Sequence, residues 1–220
     1  MDSLGAAVQA TEAHIQASFK DDTTGHDWWH IWRVRNCAVF LAEREGADAP
    51  IVELAALLHD IADWKFNDNA EDAGPAAATK WLRQFELESE LVERVATIVG
   101  EVSFKGAGVK TDPTTIEGMC VQDADRIDAI GAVGISRVFA YGGHVGQPIH
   151  DPTQQPTEHQ SFDEYKKKRS TSINHFHEKL LLLKDRMHTD SGRQVAHDRH
   201  QFMVDFLEQF EREWTGPIRG

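Results

Sequence analysis

Apolar positions recur every three or four residues along nearly the whole chain, and strict apolar-polar alternation is almost absent. Leu4, Val8, Ile15 and Phe19 keep one helical period. Trp29, Trp32, Val39, Phe40 and Leu41 suggest a second helix, with Gly46 placed to close it as a C-cap. Pro50 fits the first turn of a third, carried by Ile51, Leu54, Ala55, Leu57, Leu58 and Ile61. After a polar loop around Asn67 to Gly74, Pro75 opens a helix predicted to run through Phe85, and Ser89 begins another with Leu91, Val92, Val95 and Ile98 inward. A long helix is predicted over Thr115 to Tyr141. Two more follow, over Ile173 to Met187 and over Val195 to Trp214, the last with Phe202, Phe206, Leu207 and Phe210 on one face. No internal repeat or low-complexity segment interrupts the pattern, and the fold class is all-α.

Composition narrows what such a helical protein can do. The 220 residues suffice for one compact domain, and no Pro-, Gly- or Ser-rich linker divides them. A net charge of -13 leaves no excess of cations to neutralise a duplex, which argues against stable nucleic-acid binding. A small anionic substrate would then need a local positive site, such as a metal. Cys37 and Cys120 lie far apart and outside any C-x-x-C pair, so a disulfide framework is not expected and a reducing compartment is. The start, MDSLGAAVQATEAHIQ, lacks a basic n-region followed by an apolar run, and no stretch approaches about 18 continuous apolar residues. The expectation is a soluble cytoplasmic protein without membrane attachment.

Several chemistries lack their residues: there is no P-loop, no G-x-S-x-G elbow, no G-x-G-x-x-G turn and no helical Glu-x-x-His carboxylate signature. Histidine and aspartate remain, at three places assigned to helices: His26 and His30 in HDWWHIWRV, His59-Asp60 in AALLHDIADWKF, and Asp123 with Asp125 in VQDADRIDAIGAVG. His26 and His30 are one turn apart and share a face, with Arg33 three residues further on the same side. A His-Asp dipeptide alone is more often a satisfied structural pair. Two imidazoles with two carboxylates suit manganese, iron, cobalt, nickel or zinc better than calcium, and four ligands from three helices leave room for water and phosphate oxygen.

The order His30, His59-Asp60, Asp125 resembles the H…HD…D signature of the HD-domain metal-dependent phosphohydrolases. The wording around it, including LLHDIADWKF, SFKG, VQDADRIDAIGAVGISRVFAYGG and TSINHFHEKLLLLK, is similar to the YpgQ/YedJ-like branch, from about Gly25 to Trp214. The resemblance implies an all-helical bundle around one divalent transition metal, manganese first, with iron, cobalt, nickel or zinc as alternatives. Residues 1–24 would form an N-terminal helix packed on that domain, and 215–220 a tail. It maps the metal positions to His30, His59, Asp60 and Asp125; His30 is preferred to His26 because His30-Ile-Trp-Arg-Val34 matches the family's H-x-x-x-V turn. Val102 stands where part of the branch has a histidine.

The resemblance implies hydrolysis of (deoxy)nucleoside triphosphates to monophosphate and pyrophosphate. A nucleotide phosphomonoesterase or phosphodiesterase on the same metal is the alternative, and a non-catalytic nucleotide- or metal-binding regulatory bundle a second. Within this reading Asp63 orients or deprotonates the attacking water, and His26 touches substrate or donates a proton to the leaving group. Lys65, Lys105, Arg126 and Arg33 are the candidate phosphate contacts. Asp123 is expected to be structural or to orient a ligating histidine, with Asp128 in a similar place. His144 and His150 suggest a pocket-edge loop, Lys166 to Arg169 a solvated helix face, and His175, His177, His188, His197 and His200 structural roles. The resemblance leaves a homodimer open.

Overall fold

The computed structural model describes residues 3–19, 27–61, 73–102, 112–157 and 170–216, and among these the regular structure is helical with no strand. The described chain gathers into two compact units. The first holds residues up to Asp125 together with His188–Gly192; the second holds Arg126–Met187 and the chain from Arg193 on.

The first unit is built around its most apolar helix. Helix α3 (Ala49–Leu58) starts at the N-cap Asp48, takes Pro50 in its first turn and buries every residue from Ile51 to Leu58 except Glu53. A helix with almost no polar face can only be central, and α1 (Ser3–Ser18), α2 (Trp28–Glu45) and α5 (Ser89–Val102) pack around it. Helix α5 presents Val92, Val95, Ala96, Ile98, Val99 and Val102 to the interior and also packs on α4 (Ala73–Leu82). Helix α1 buries Ala7, Thr11 and Ile15. The indole of Trp81 donates to Thr11 Oγ1 at 2.8 Å, and its ring stacks on His14 at 4.0 Å.

Helix α2 begins where Asp27 accepts a hydrogen bond from the His30 amide at 2.9 Å. It ends at Gly46, whose φ of 70° is the left-handed conformation that a C-cap requires. Its buried face is Trp28, His30, Ile31, Val34, Ala38, Leu41 and Ala42. Trp29, Trp32 and Phe40, which suggested the helix in the sequence, are at least 40 % exposed. The helix and its cap are as expected, and its buried face is carried by Trp28, His30 and the aliphatic positions. Arg35 reaches across to Glu53 and pairs with its carboxylate, tying α2 to α3.

Four expected boundaries shift. The third helix stops at Leu58, leaving His59 to Ile61 as a turn, so the His-Asp pair stands at a helix end and not within a helix. Pro75 lies in the first turn of a helix that ends at Leu82. The long helix over Thr115 to Tyr141 is two, α6 (Ile116–Asp128) and α7 (Gly131–His144), broken where Ile130 becomes extended and Gly131 adopts φ 75°. The positive φ favours glycine at that turn, and Arg199 side-chain carbons as near as 3.0 Å to where a Cβ would sit add to the preference. The Ile173–Met187 segment is likewise two pieces, α8 (Ser172–Glu178) and a 3₁₀ turn (Leu180–Arg186), separated at Lys179.

The second unit has an aromatic core. Phe139 of α7, Phe176 of α8 and Phe206 of the last helix, α9 (Asp190–Trp214), meet with ring centroids 5.9 to 6.2 Å apart, and Phe210, Trp214 and His150 extend the cluster. Phe202, expected on the same face, is 52 % exposed; Met203 and Leu207 are buried. Helix α9 also starts five residues earlier than the apolar period suggested. Neither cysteine is in a disulfide: Cys37 on α2 is half-buried, and Cys120 on α6 is fully buried. Burial, with the carboxylates of Asp123, Glu45 and Glu117 adding to it, pushes the Cys120 thiol up to about 12.

Candidate metal centre

Two helix ends and one helix flank bring the predicted residues together within the first unit. His30 sits in the first turn of α2, its backbone fixed by the Asp27 cap and its ring buried. His59 is the C-cap of α3, and its Nδ1 lies 2.7 Å from the Ala56 carbonyl. A carbonyl only accepts, so Nδ1 carries a proton and Nε2 is the ring atom turned to the cluster. Asp60 follows in the same turn.

His30 Nε2 and His59 Nε2 are 3.4 Å apart, His59 Nε2 and Asp60 Oδ2 are 3.4 Å apart, and His30 Nε2 and Asp60 Oδ2 are 3.6 Å apart. Asp125 on α6 brings Oδ1 to 3.6 Å from His30 Nε2, with its carboxylate 38 % exposed. The first three donors all lie within 4.8 Å of one another.

The donor set fits a cation. Among the described residues, Asp60 Oδ2 is buried without a hydrogen-bond partner, a costly state for a carboxylate oxygen. Donors about 2.1 Å from a shared tetrahedral ion stand about 3.4 Å from each other, which is the size of this triangle. Without a metal, the same carboxylates favour a second proton on His59. Burial is the largest single influence on His59 and pushes its pKa down, but Asp60, Asp125 and the Ala56 carbonyl together outweigh it and raise the value to about 9. For Asp60, burial pushes upward most strongly. The positive charge of His59, with His30 close beside it, prevails and holds the carboxyl well below its usual range.

Such a chain should have relatives that bind metal. The HD domain model matches residues 28–130. The YpgQ protein of Bacillus subtilis (strain 168) is 38 % identical over 203 residues, spanning 92 % of this chain and 91 % of the relative. The chain belongs to the HD-domain family. It lies in the YpgQ-like branch, among metal-dependent phosphohydrolases whose structures are helical bundles. A crystal structure of an HD-superfamily hydrolase from Bacillus thuringiensis is similar with a TM-score of 0.78 and 39 % identity, covering 97 % of this chain and 100 % of that one. The crystal structure of B. subtilis YpgQ in complex with ADP matches with a TM-score of 0.73 and 35 % identity, over 97 % of this chain and 98 % of that one. HD domains bind a divalent metal, and the His30, His59, Asp60 cluster lies inside the matched span.

The other expected residues fall differently. Arg33 is half-buried on α2, and Arg126 is half-buried with its guanidinium donating to the Arg186 carbonyl. His26, Asp63, Lys65, Lys105 and the Lys166 to Arg169 run lie outside the described residues. Asp128 forms a buried ion pair with Arg137 at 2.7 Å. Asp123 accepts hydrogen bonds from the amides of His188 and Thr189 and from the Thr189 hydroxyl, so it serves a backbone segment and not a ligating imidazole. The Asp27 cap and the Ala56 carbonyl were missed. Asp27, three residues before His30 at a helix start, carried a readable capping signal; a main-chain carbonyl carries none. Among the described residues no helix is long and apolar enough to cross a membrane.

Proposed function

We propose that this chain is a manganese-dependent nucleotide pyrophosphohydrolase, converting (deoxy)nucleoside triphosphates to monophosphate and pyrophosphate. The observation that carries the metal part is the triangle of His30 Nε2, His59 Nε2 and Asp60 Oδ2 around an unpartnered buried carboxylate oxygen. Asp125 would complete the set as the most exposed of the four. The ADP complex of the YpgQ relative supports a nucleotide as the substrate class.

When bound there, a divalent cation neutralises phosphate charge and lowers the pKa of its water toward neutrality. The protein's own groups do the rest. His59 would hold the ion through Nε2, aimed by the Ala56 carbonyl, and Asp60 and Asp125 would supply the negative charge that offsets it. Asp63 takes the proton of the attacking water, with His26 as proton donor to the leaving group. Lys65, Lys105, Arg33 and Arg126 are the cations assigned to phosphate oxygens. Cations drawn from separate segments suit a polyphosphate extended away from the metal better than a single terminal phosphate.

Turnover of a deoxynucleoside triphosphate with manganese in oxygen-18 water tests the assignment. Label is expected on the monophosphate, with unlabelled pyrophosphate released. Label in free phosphate beside a diphosphate product would replace this activity with a phosphatase. Tight binding of ADP without turnover would make the protein a regulatory bundle.

A further inference from the structure

Asp123 has no part in the chemistry above, yet it is a fully buried carboxylate two residues from Asp125 on α6. It accepts from the His188 amide at 2.9 and 3.1 Å, the Thr189 amide at 2.8 Å and the Thr189 hydroxyl at 2.7 Å. Thr189 Oγ1 in turn accepts from the Gly192 amide at 3.0 Å, in the first turn of α9. Two further contacts seat the same short segment: Gln122 Oε1 lies 2.7 Å from His188 Nε2, and Glu45 accepts from the Ser191 amide at 2.8 Å. Gly192 has no room for a side chain, because a Cβ there would stand 2.5 Å from Asp123 Oδ2 and 2.6 Å from Thr189 Oγ1.

We infer that Asp123 is a positioning residue for the metal centre: its clamp on His188–Thr189 fixes the rotation of α6, and through it the placement of the Asp125 carboxylate against His30. This rests on the proposed reading of Asp125 as a ligand. The geometry makes the coupling direct. Two residues along an α-helix are about 200° of rotation apart, so the clamp holds one side of α6 while Asp125 occupies the other. An aspartate oxygen stands about 5 Å from its helix axis, and a rotation of about 20° would carry it roughly 2 Å, far enough to leave a coordination sphere. Asp125 is also the most exposed of the four, and among the described residues its carboxylate meets the site at the His30 edge, 3.6 Å away. Its position therefore depends on how the helix is held from behind.

The test is manganese affinity of the full-length chain, by titration calorimetry at a temperature where circular dichroism shows each variant fully helical. Asp123→Asn and Thr189→Val are expected to weaken binding about tenfold or more, the scale of changes behind a metal site, and Thr189→Ser to restore it to within about threefold. Gly192→Ala should weaken it as well, by displacing the carboxylate it leaves chemically intact. Asp125→Ala is the reference. Clamp variants that unfold at lower temperature yet bind manganese like the wild type, beside a weakened Asp125→Ala, would overturn the positioning role alone. An Asp125→Ala variant with undiminished affinity would instead overturn the ligand reading and this inference with it. Should Asp123→Asn fail to fold, the Thr189→Val and Thr189→Ser pair decides.

Discussion

His59 in the first unit and His175 in the second are both imidazoles largely withdrawn from water, and burial pushes each toward its neutral form. They end at opposite extremes. His59 faces Asp60 and Asp125, which reverse the push and take it to about 9; His175 has Lys179 near it, which adds to the push and takes it to about 4. Burial alone thus says nothing about whether a histidine belongs to a metal site. The sign of its neighbours does, because the carboxylates that hold an extra proton on His59 are the groups that would hold a cation in its place.

The contrast breaks most easily at the metal. His59→Ala and Asp60→Ala should reduce bound manganese from about one per chain to near none and lower turnover by at least about a hundredfold, while His175→Ala keeps both. Elemental analysis with a turnover assay checks this. Metal retained in His59→Ala, or lost in His175→Ala, would erase the distinction.

A smaller effect sharpens it through pH. In the metal-free chain His59 binds its proton more tightly folded than unfolded, since about 9 lies above 6.5. Its contribution is therefore full below pH 6.5 and is lost as pH rises toward 9, by about 3 kcal/mol at most. His175 has the opposite sign: held at about 4, below 6.5, it contributes above pH 6.5 and loses that contribution as pH falls toward 4. Part of its ring is exposed, so this limb is the shallower one. Denaturant unfolding across pH should show His59→Gln flattening the alkaline limb and His175→Gln the acid limb; the reverse assignment would refute the picture.

What the sequence reveals follows the same division. The H…HD…D order is readable because each piece is local and chemically distinctive, and the structure does bring His30, His59, Asp60 and Asp125 together. Helix existence was legible for a similar reason, since period is a local property. The break at Ile130–Gly131 was not: apolar residues continue through it at helical spacing, and the Arg199 side chain that crowds a Cβ at Gly131 lies far along the chain. Trp29 and Trp32 mark the helix yet stand exposed, because hydrophobicity does not say which of two apolar faces meets the core. The link from Asp123 to Thr189 spans 66 residues and leaves no periodic trace.

Cys120 offers a chemical clock. Its thiol sits on the same helix as Asp125, sealed from solvent and held at about 12, so at neutral pH almost none of it is the reactive thiolate. Alkylating reagents should modify the half-buried Cys37 first and reach Cys120 only when α6 leaves its seat. Mass-resolved labelling of Cys120 over time would then count openings of the helix that carries Asp125, slowed by saturating manganese if the ion joins α6 to α2 and α3. A rate indifferent to manganese would mean that α6 opens without disturbing the metal, and that Asp125 does not tie the helix to it.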